Sequence, residues 1–120
     1  MSKFLHTNSN LPVLIQKQKF AYQEWSNIQK HIPKVHRYTL GIKIDNIFIQ
    51  TLELSFMLLA EKNDLLAIRL ITKIDLLKFM ILNLFEIKGI DKDKYISLNL
   101  KIEEIGKIVF GIRKNIKNHS

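Results

Sequence analysis

Apolar residues in the last quarter of the chain recur at alternating steps of three and four. This spacing places them on one face of a helix that packs lengthwise on other helices. Asp91 and Asp93 precede the run and suit a helix N-terminus, where acidic side chains are favourable. The pattern predicts a helix over residues 91–116, with an inner seam of Tyr95, Leu98, Ile102, Ile105, Val109, Ile112 and Ile116.

Two further helices are predicted in the first half of the chain. The first covers residues 11–31, with Asn10 as its cap, Pro12 in the first turn and Pro33 beyond its end. Its expected inner stripe is Leu14, Ala21, Trp25, Ile28 and Ile32. The second follows a connection at residues 33–36 and ends near Glu61. Its expected inner stripe is Leu40, Ile44, Ile47, Thr51, Leu54 and Leu58.

The third predicted helix begins at Asn63 and Asp64, which suit an N-cap, and stops before Gly89, which suits a left-handed C-terminal stop. This helix is apolar almost all round. One face carries Leu70, Ile74, Leu77, Ile81 and Leu84, and a nearly opposite face carries Ile68, Ile71, Phe79 and Leu82. The fourth helix likewise has apolar residues away from its seam, at Ile96, Leu100 and Phe110.

These elements predict an all-α protein with an antiparallel up-down-up-down four-helix bundle over residues 11–117. Short connections between long helices favour that topology. Residues 1–10 and 118–120 are predicted to be tails. The surplus of apolar surface on the third and fourth helices predicts a symmetric homo-oligomer or a tight protein partner. A thick monomeric core is the alternative.

Composition adds a hint about partners. The 120 residues carry a net charge of +8 and a pI near 9.8, which suits RNA, DNA or another acidic surface. Charge used only for solubility is the alternative. The chain has no cysteine, which is compatible with a reducing cytoplasm. We expect a cytoplasmic protein that does not associate with a membrane, because no apolar run has the length of a signal peptide or a membrane span.

Catalytic and metal-binding motifs are missing from the sequence. No glutamate has a histidine three residues later, the spacing that a carboxylate metal site in a bundle requires. There is no glycine-rich phosphate loop and no nucleophile elbow. We therefore expect no cofactor, no metal and no enzymatic activity.

Basic residues are the remaining candidates for function. Surplus charge is concentrated at the two ends of the chain, and no acidic residue follows Glu104. Helices 1 and 4 of such a bundle are usually neighbours, so Lys17, Lys19 and Lys30 are expected to share a side with the basic residues of helix 4. Those are Lys101, Lys107, Lys114 and Lys117. No base-reading motif is present, so any nucleic-acid binding is expected to be largely independent of base sequence.

Two segments are more specific than the general bundle pattern: residues 33–41, PKVHRYTLG, and residues 104–112, EIGKIVFGI. Together with the triplet Leu77-Lys78-Phe79, they resemble the four-helix-bundle family that includes the accessory variability determinant (Avd) proteins of diversity-generating retroelements. A related branch is encoded by intervening sequences in bacterial ribosomal RNA genes. The similarity spans residues 11–117.

The resemblance implies a barrel-like homopentamer with a positively charged surface that binds a reverse transcriptase and RNA and supports mutagenic copying of a template repeat. By position, Lys78 corresponds to a basic residue on the third helix, Lys107 to an arginine frequent in the family, and Arg37 to the opening of the second helix. Leu82 and Ile112 depart from the pattern, since some members have a basic residue and a tryptophan there.

The sequence therefore predicts a non-enzymatic accessory protein that tethers RNA or cDNA to a reverse transcriptase. Phosphate contacts are expected from Lys78, Lys107, Arg113 and Lys114, with Arg37 as a further candidate. The alternative is a structural or protein-interaction module whose positive charge is incidental. Gly106 and Gly111 are expected to mark places where a neighbouring helix crosses closely.

Overall fold

The computed structural model describes residues 11–119, and four helices account for most of them. We label them α1 (Val13–Gln29), α2 (Lys34–His36, Arg37–Gly41 and Ile42–Glu61 in succession), α3 (Asp64–Glu86) and α4 (Lys92–Asn118). The described residues contain no strand, so the predicted all-α class is confirmed. The tail predicted at residues 1–10 lies outside the described residues, as does Ser120.

The predicted inner stripes are confirmed for most of their residues. All five residues of the first predicted stripe are buried, although Ile32 lies beyond the end of α1, and so are Leu98, Ile102, Ile105 and Val109 in the seam of α4. Leu40 and Leu54 in the stripe of α2, and both ends of the α4 seam at Tyr95, Ile112 and Ile116, are only partly buried and pack against the core. The spacing of apolar residues in the sequence therefore indicated correctly which side of each helix is buried.

The beginning of α2 differs from the prediction. Residues 33–36 were expected to be a connection, but the helix starts at Lys34, directly after Pro33. The Pro33 carbonyl accepts hydrogen bonds from the backbone N–H groups of His36 and Arg37, both at 2.9 Å. Proline suits this position because its fixed φ is helix-compatible and it has no N–H to leave unpaired. Arg37–Gly41 then form a π-helical turn that leads into Ile42–Glu61.

The predicted N-caps of α3 and α4 are confirmed. The Asn63 side chain accepts a hydrogen bond from the Leu65 N–H at 2.8 Å, and the Asp91 side chain accepts one from the Lys94 N–H at 2.9 Å. Each bond satisfies a backbone donor that has no partner inside its helix.

Gly89 does not supply the left-handed stop that was predicted for it. Lys88 adopts that conformation instead, with φ of 65°, as Lys62 does after α2, with φ of 51°. Gly89 is required for a different reason, because a Cβ at this position would lie 2.3 Å from Cδ1 of the buried Leu84. Its N–H donates to the Leu84 carbonyl at 2.8 Å, which closes the end of α3.

Each helix packs on two others: α1 on α2 and α4, and α3 on α2 and α4. The expected contact between the first and fourth helices is thus confirmed. The core they enclose is apolar and includes Trp25, Ile47, Leu70, Ile81 and Ile102.

Two polar clusters connect α1 to α2, one buried and one partly buried. The Gln18 amide donates to the Ser55 hydroxyl and, at 3.3 Å, to the Thr51 carbonyl. The Asp45 carboxylate accepts from the Tyr22 hydroxyl at 2.9 Å and from the Trp25 indole N–H at 3.2 Å. Burial, followed by the hydrogen bond to Asp45, raises the pKa of Tyr22 above its usual value of 10.0.

Candidate nucleic-acid interface

The outer side of α4 carries a basic stripe with an aromatic ring at its centre. We call Lys107, Phe110 and Lys114 the α4 stripe. Their spacing of three and four residues places them on one side of the helix, opposite the buried seam. Both lysines are exposed, the Phe110 side chain is 58% exposed, and neither lysine makes an ion pair within residues 11–119. Two uncompensated cations therefore flank an accessible ring.

A groove of about 230 Å³ separates this stripe from α3. Lys107 and Phe110 form its α4 rim, and Asp75 and Lys78 belong to its α3 side. Gly106 lies between them, and a Cβ there would meet only Ile74 Cγ2, at 3.8 Å. The expected close helix crossing at Gly106 is therefore wrong, since 3.8 Å is an ordinary contact. It is wrong for Gly111 as well, because a Cβ there would have no neighbour within 4 Å.

Lys78 lies near the α4 stripe, but its positive charge is partly balanced by a carboxylate. Its Nζ lies 3.9 Å from Oε1 of Glu103 across the groove, and both side chains are partly exposed. A pair of this length at the surface contributes little to stability. Lys78 can therefore turn toward a phosphate on the same side without a large loss.

Arg113 is held more firmly. Its Nε donates to Asp64 Oδ1 at 2.9 Å, which ties the second half of α4 to the first residue of α3. Both side chains are partly buried. Arg113 is thus positioned by this bond, and its positive charge is largely balanced by Asp64.

Arg37 is not brought together with the other candidates. Its Nε donates to the Ile32 carbonyl at 3.2 Å, and its Nη2 donates to the Lys30 carbonyl at 3.0 Å. The side chain thereby satisfies carbonyls beyond the C-terminal end of α1, where such groups lack helical partners. That part of the fold lies beside the α3–α4 connection, whereas the α4 stripe lies in the second half of α4.

The lysines of helices 1 and 4 were expected to share one side of the protein. Ion pairs between α1 and α4 compensate two of them. Lys17 Nζ lies 2.8 Å from Glu104 Oε1, and Lys101 Nζ lies 2.9 Å from Glu24 Oε1. These two lysines are compensated, whereas Lys107 and Lys114, further along α4, make no ion pair with another described residue. Phe110 was missed as a site residue, although its position between Lys107 and Lys114 could have identified it.

Within residues 11–119 there is no cluster of three or more His, Cys, Asp or Glu side chains that could hold a metal ion. Over the same residues, no helix has both the length and the apolar content needed to cross a bilayer.

In comparisons with known proteins, no family model, curated protein or solved structure matches the chain.

Proposed function

We propose that the chain is a non-enzymatic accessory protein that binds RNA or cDNA through the α4 stripe and presents it to a reverse transcriptase in the cytoplasm. The observation that carries this proposal is a pair of exposed lysines, Lys107 and Lys114, on either side of Phe110, neither of which makes an ion pair with another described residue. The reverse transcriptase and the retroelement context in this proposal come from the sequence resemblance to the Avd family.

The proposed bundle is antiparallel, up-down-up-down. Contacts between neighbouring helices support this, because residue numbers rise on one helix as they fall on the other. Lys17 and Glu24 of α1 meet Glu104 and Lys101 of α4. The same reversal relates α3 to α4, where Asp64 meets Arg113 and Lys78 meets Glu103. It relates α1 to α2 as well, where Gln18 meets Ser55 and Trp25 meets Asp45.

Binding through the α4 stripe would be mainly electrostatic. Each lysine that contacts a phosphate releases counterions, so affinity falls steeply as salt rises. An accessible aromatic ring adds base stacking, worth about 1–3 kcal/mol per base and tolerant of base identity. A symmetric homo-oligomer, which we propose for the functional form, repeats the stripe and multiplies the contacts.

The test is the affinity for labelled single-stranded RNA as a function of salt. We expect the Lys107→Glu/Lys114→Glu variant to lose most of the affinity and to show a shallower salt dependence, by about two phosphate contacts. A Phe110→Ala variant should lose affinity with the salt slope unchanged, since stacking is not ionic.

A matched control is the Lys19→Glu/Lys30→Glu variant. It makes the same change in net charge at two exposed lysines, Lys19 of α1 and Lys30 directly after α1. This control should bind nearly as well as the unaltered protein. Equal losses in both variants would mean that only total charge matters, and no binding at low salt would exclude the proposal.

A structural or protein-interaction module remains the second candidate. The exposed apolar side chains on α3 and on the first half of α4 favour it, since such residues in proximity mark contact surfaces. This candidate predicts no RNA binding at low salt and no effect of the lysine substitutions.

A further inference from the structure

One side chain of the groove beside the α4 stripe is unsuited to phosphate. Asp75, on the α3 side of the groove, is exposed, and its carboxylate makes no ion pair with another described residue. A free carboxylate repels phosphate, so Asp75 weakens phosphate binding inside the groove itself. The part of a nucleotide that fits beside Asp75 must therefore donate hydrogen bonds, and those donors belong to the base and to the ribose hydroxyls.

Gly106 keeps the groove open beside Asp75. The two residues line the same groove, and a Cβ on Gly106 would meet only Ile74 Cγ2, at 3.8 Å. Its φ is not in the left-handed region, so the backbone does not require glycine either. Glycine inside a helix is less stable than alanine, so neither packing nor conformation accounts for it. What glycine provides here is space, because a larger side chain would project into the groove.

The open space adjoins an exposed ring. Phe110 lies one helical turn beyond Gly106 and belongs both to the α4 stripe and to the lining of the groove. The groove volume, about 230 Å³, accommodates a single base, and Ile71 and Ile74 give it apolar walls. A strand whose phosphates contact Lys107 can therefore stack one base on Phe110 and direct the edge of that base into the groove.

We infer that the groove binds a guanine base of single-stranded RNA, with Asp75 accepting from the N1 hydrogen and the 2-amino group and Lys78 donating to O6. This inference rests on the proposed function, since it names the base recognised at the same site. Asp75 and Lys78 are three residues apart and lie side by side on α3. Lys78 is held only by the 3.9 Å pair with Glu103, so its ammonium can turn to the base.

The other three bases do not match this pair of side chains. A carboxylate has two acceptor oxygens, and guanine has two adjacent donors on its Watson–Crick edge. Adenine and cytosine present a ring nitrogen acceptor beside their amino group, which would face the Asp75 carboxylate unfavourably. Uracil presents a single donor between two carbonyls. Guanine is thus the base whose donors and acceptor complement Asp75 and Lys78 together.

The test compares the affinity of the protein for three RNA probes of ten nucleotides at one salt concentration. The first is oligo(A), the second has guanosine at one central position, and the third has inosine there. All three offer a purine to Phe110, so the comparison isolates the edge of the base. We expect the guanosine probe to bind about tenfold more tightly than oligo(A), as a bidentate contact provides. Inosine, which lacks only the 2-amino group, should be intermediate.

The Asp75→Asn variant separates a specific contact from general electrostatics. An amide has one acceptor and two donors, so it cannot accept both guanine hydrogens. The advantage of the guanosine probe should disappear, whereas the affinity for oligo(A) should not fall, because a negative charge has been removed. The matched control is Asp93→Asn, which makes the same charge change at an exposed residue in the first turn of α4, outside the groove. This control should keep the advantage.

Filling the groove gives an independent measurement. Gly106→Leu places a side chain in the groove and should abolish the guanosine advantage while leaving the salt dependence of binding unchanged. Gly111→Leu is its control, because it adds the same side chain to the same helix at a position that does not line the groove. The advantage should persist in this control, and its loss there would overturn the inference.

The outcomes distinguish this inference from the proposed function. Equal affinity for the three probes would overturn the guanine site and leave the nucleic-acid proposal standing. A guanosine advantage that survives Asp75→Asn or Gly106→Leu would overturn the site as well. If no probe binds at low salt, the proposed function is wrong, and the guanine site is wrong with it.

Discussion

The α1–α2 pair and the α3–α4 pair are stabilised in different ways. Between α1 and α2, buried hydrogen bonds from Gln18 and partly buried hydrogen bonds to Asp45, one of them from the fully buried Trp25, accompany the apolar packing. Between α3 and α4 the side-chain polar contacts are ion pairs at the partly exposed edges, such as Arg113 with Asp64. Buried hydrogen bonds fix one arrangement of two helices, because leaving one unmade costs far more than its net contribution. Apolar packing with polar edges leaves the outer faces of these helices free for contacts with other molecules, and the α4 stripe lies on one such face.

The largest effect is expected from Trp25→Ala, which removes the centre of the α1–α2 contact. Trp25 is fully buried, its ring stacks on Phe48 at 6.1 Å, and its N–H is bonded to Asp45. We expect a loss of about 3–5 kcal/mol in the free energy of unfolding, measured by urea denaturation. The exposed Phe20→Ala should change stability by less than about 0.5 kcal/mol. Similar losses in both variants would contradict the packing of α1.

Asp45→Ala is expected to cost about 1–3 kcal/mol, because Tyr22 and Trp25 would lose their common acceptor inside the protein. The matched change between α3 and α4 is Asp64→Ala, which breaks the pair with Arg113. That pair is partly exposed, so its loss should cost less than about 1 kcal/mol. If Asp64→Ala proves the more destabilising of the two, the contrast between the helix pairs is wrong.

Two glycines of the α3–α4 half should respond in opposite directions to alanine. Gly89→Ala places a Cβ against the buried Leu84 and should cost about 1–3 kcal/mol. Gly111→Ala adds a methyl group in open space within a helix and should stabilise by about 0.5–1 kcal/mol. Thermal melts of both variants check this, and destabilisation by Gly111→Ala would indicate a neighbour at that surface.

The smallest effect concerns pH. Because the pKa of Tyr22 is raised in the folded protein, the unfolded chain releases the hydroxyl proton first as pH rises. Stability from this group is complete below the ordinary tyrosine pKa and is lost as pH increases through the raised value. Melting temperatures of the unaltered protein should therefore fall more steeply above pH 10 than those of Tyr22→Phe. Parallel curves would show that Tyr22 titrates normally.

The helices and their inner faces could be predicted from the sequence. Steps of three and four residues mark one side of a helix, so Leu98, Ile102 and Ile105 were correctly expected to be buried. The same rule identified Ile96, Leu100 and Phe110 as lying away from the seam, and all three are exposed. The caps at Asn63 and Asp91 were predictable because their bonds are local.

The candidate site was predictable only in part. The run of basic residues after Glu104 drew attention to the second half of α4, but it did not show which of those charges are compensated. Arg37 was expected to contact phosphate, yet its guanidinium donates to carbonyls at the end of α1. Nothing local to Arg37 in the sequence indicated that bond.

The sequence by itself determined what depends on neighbours within a few residues: the four helices, the N-caps of α3 and α4, and the side that each helix buries. Only the tertiary structure decided which charges remain available, since the pairs Lys17–Glu104, Lys101–Glu24 and Arg113–Asp64 depend on how separate helices align. The physical reason is range. Helix periodicity is set by bonds four residues apart, whereas ion pairs join residues up to 87 positions apart and need the packed core to bring them together.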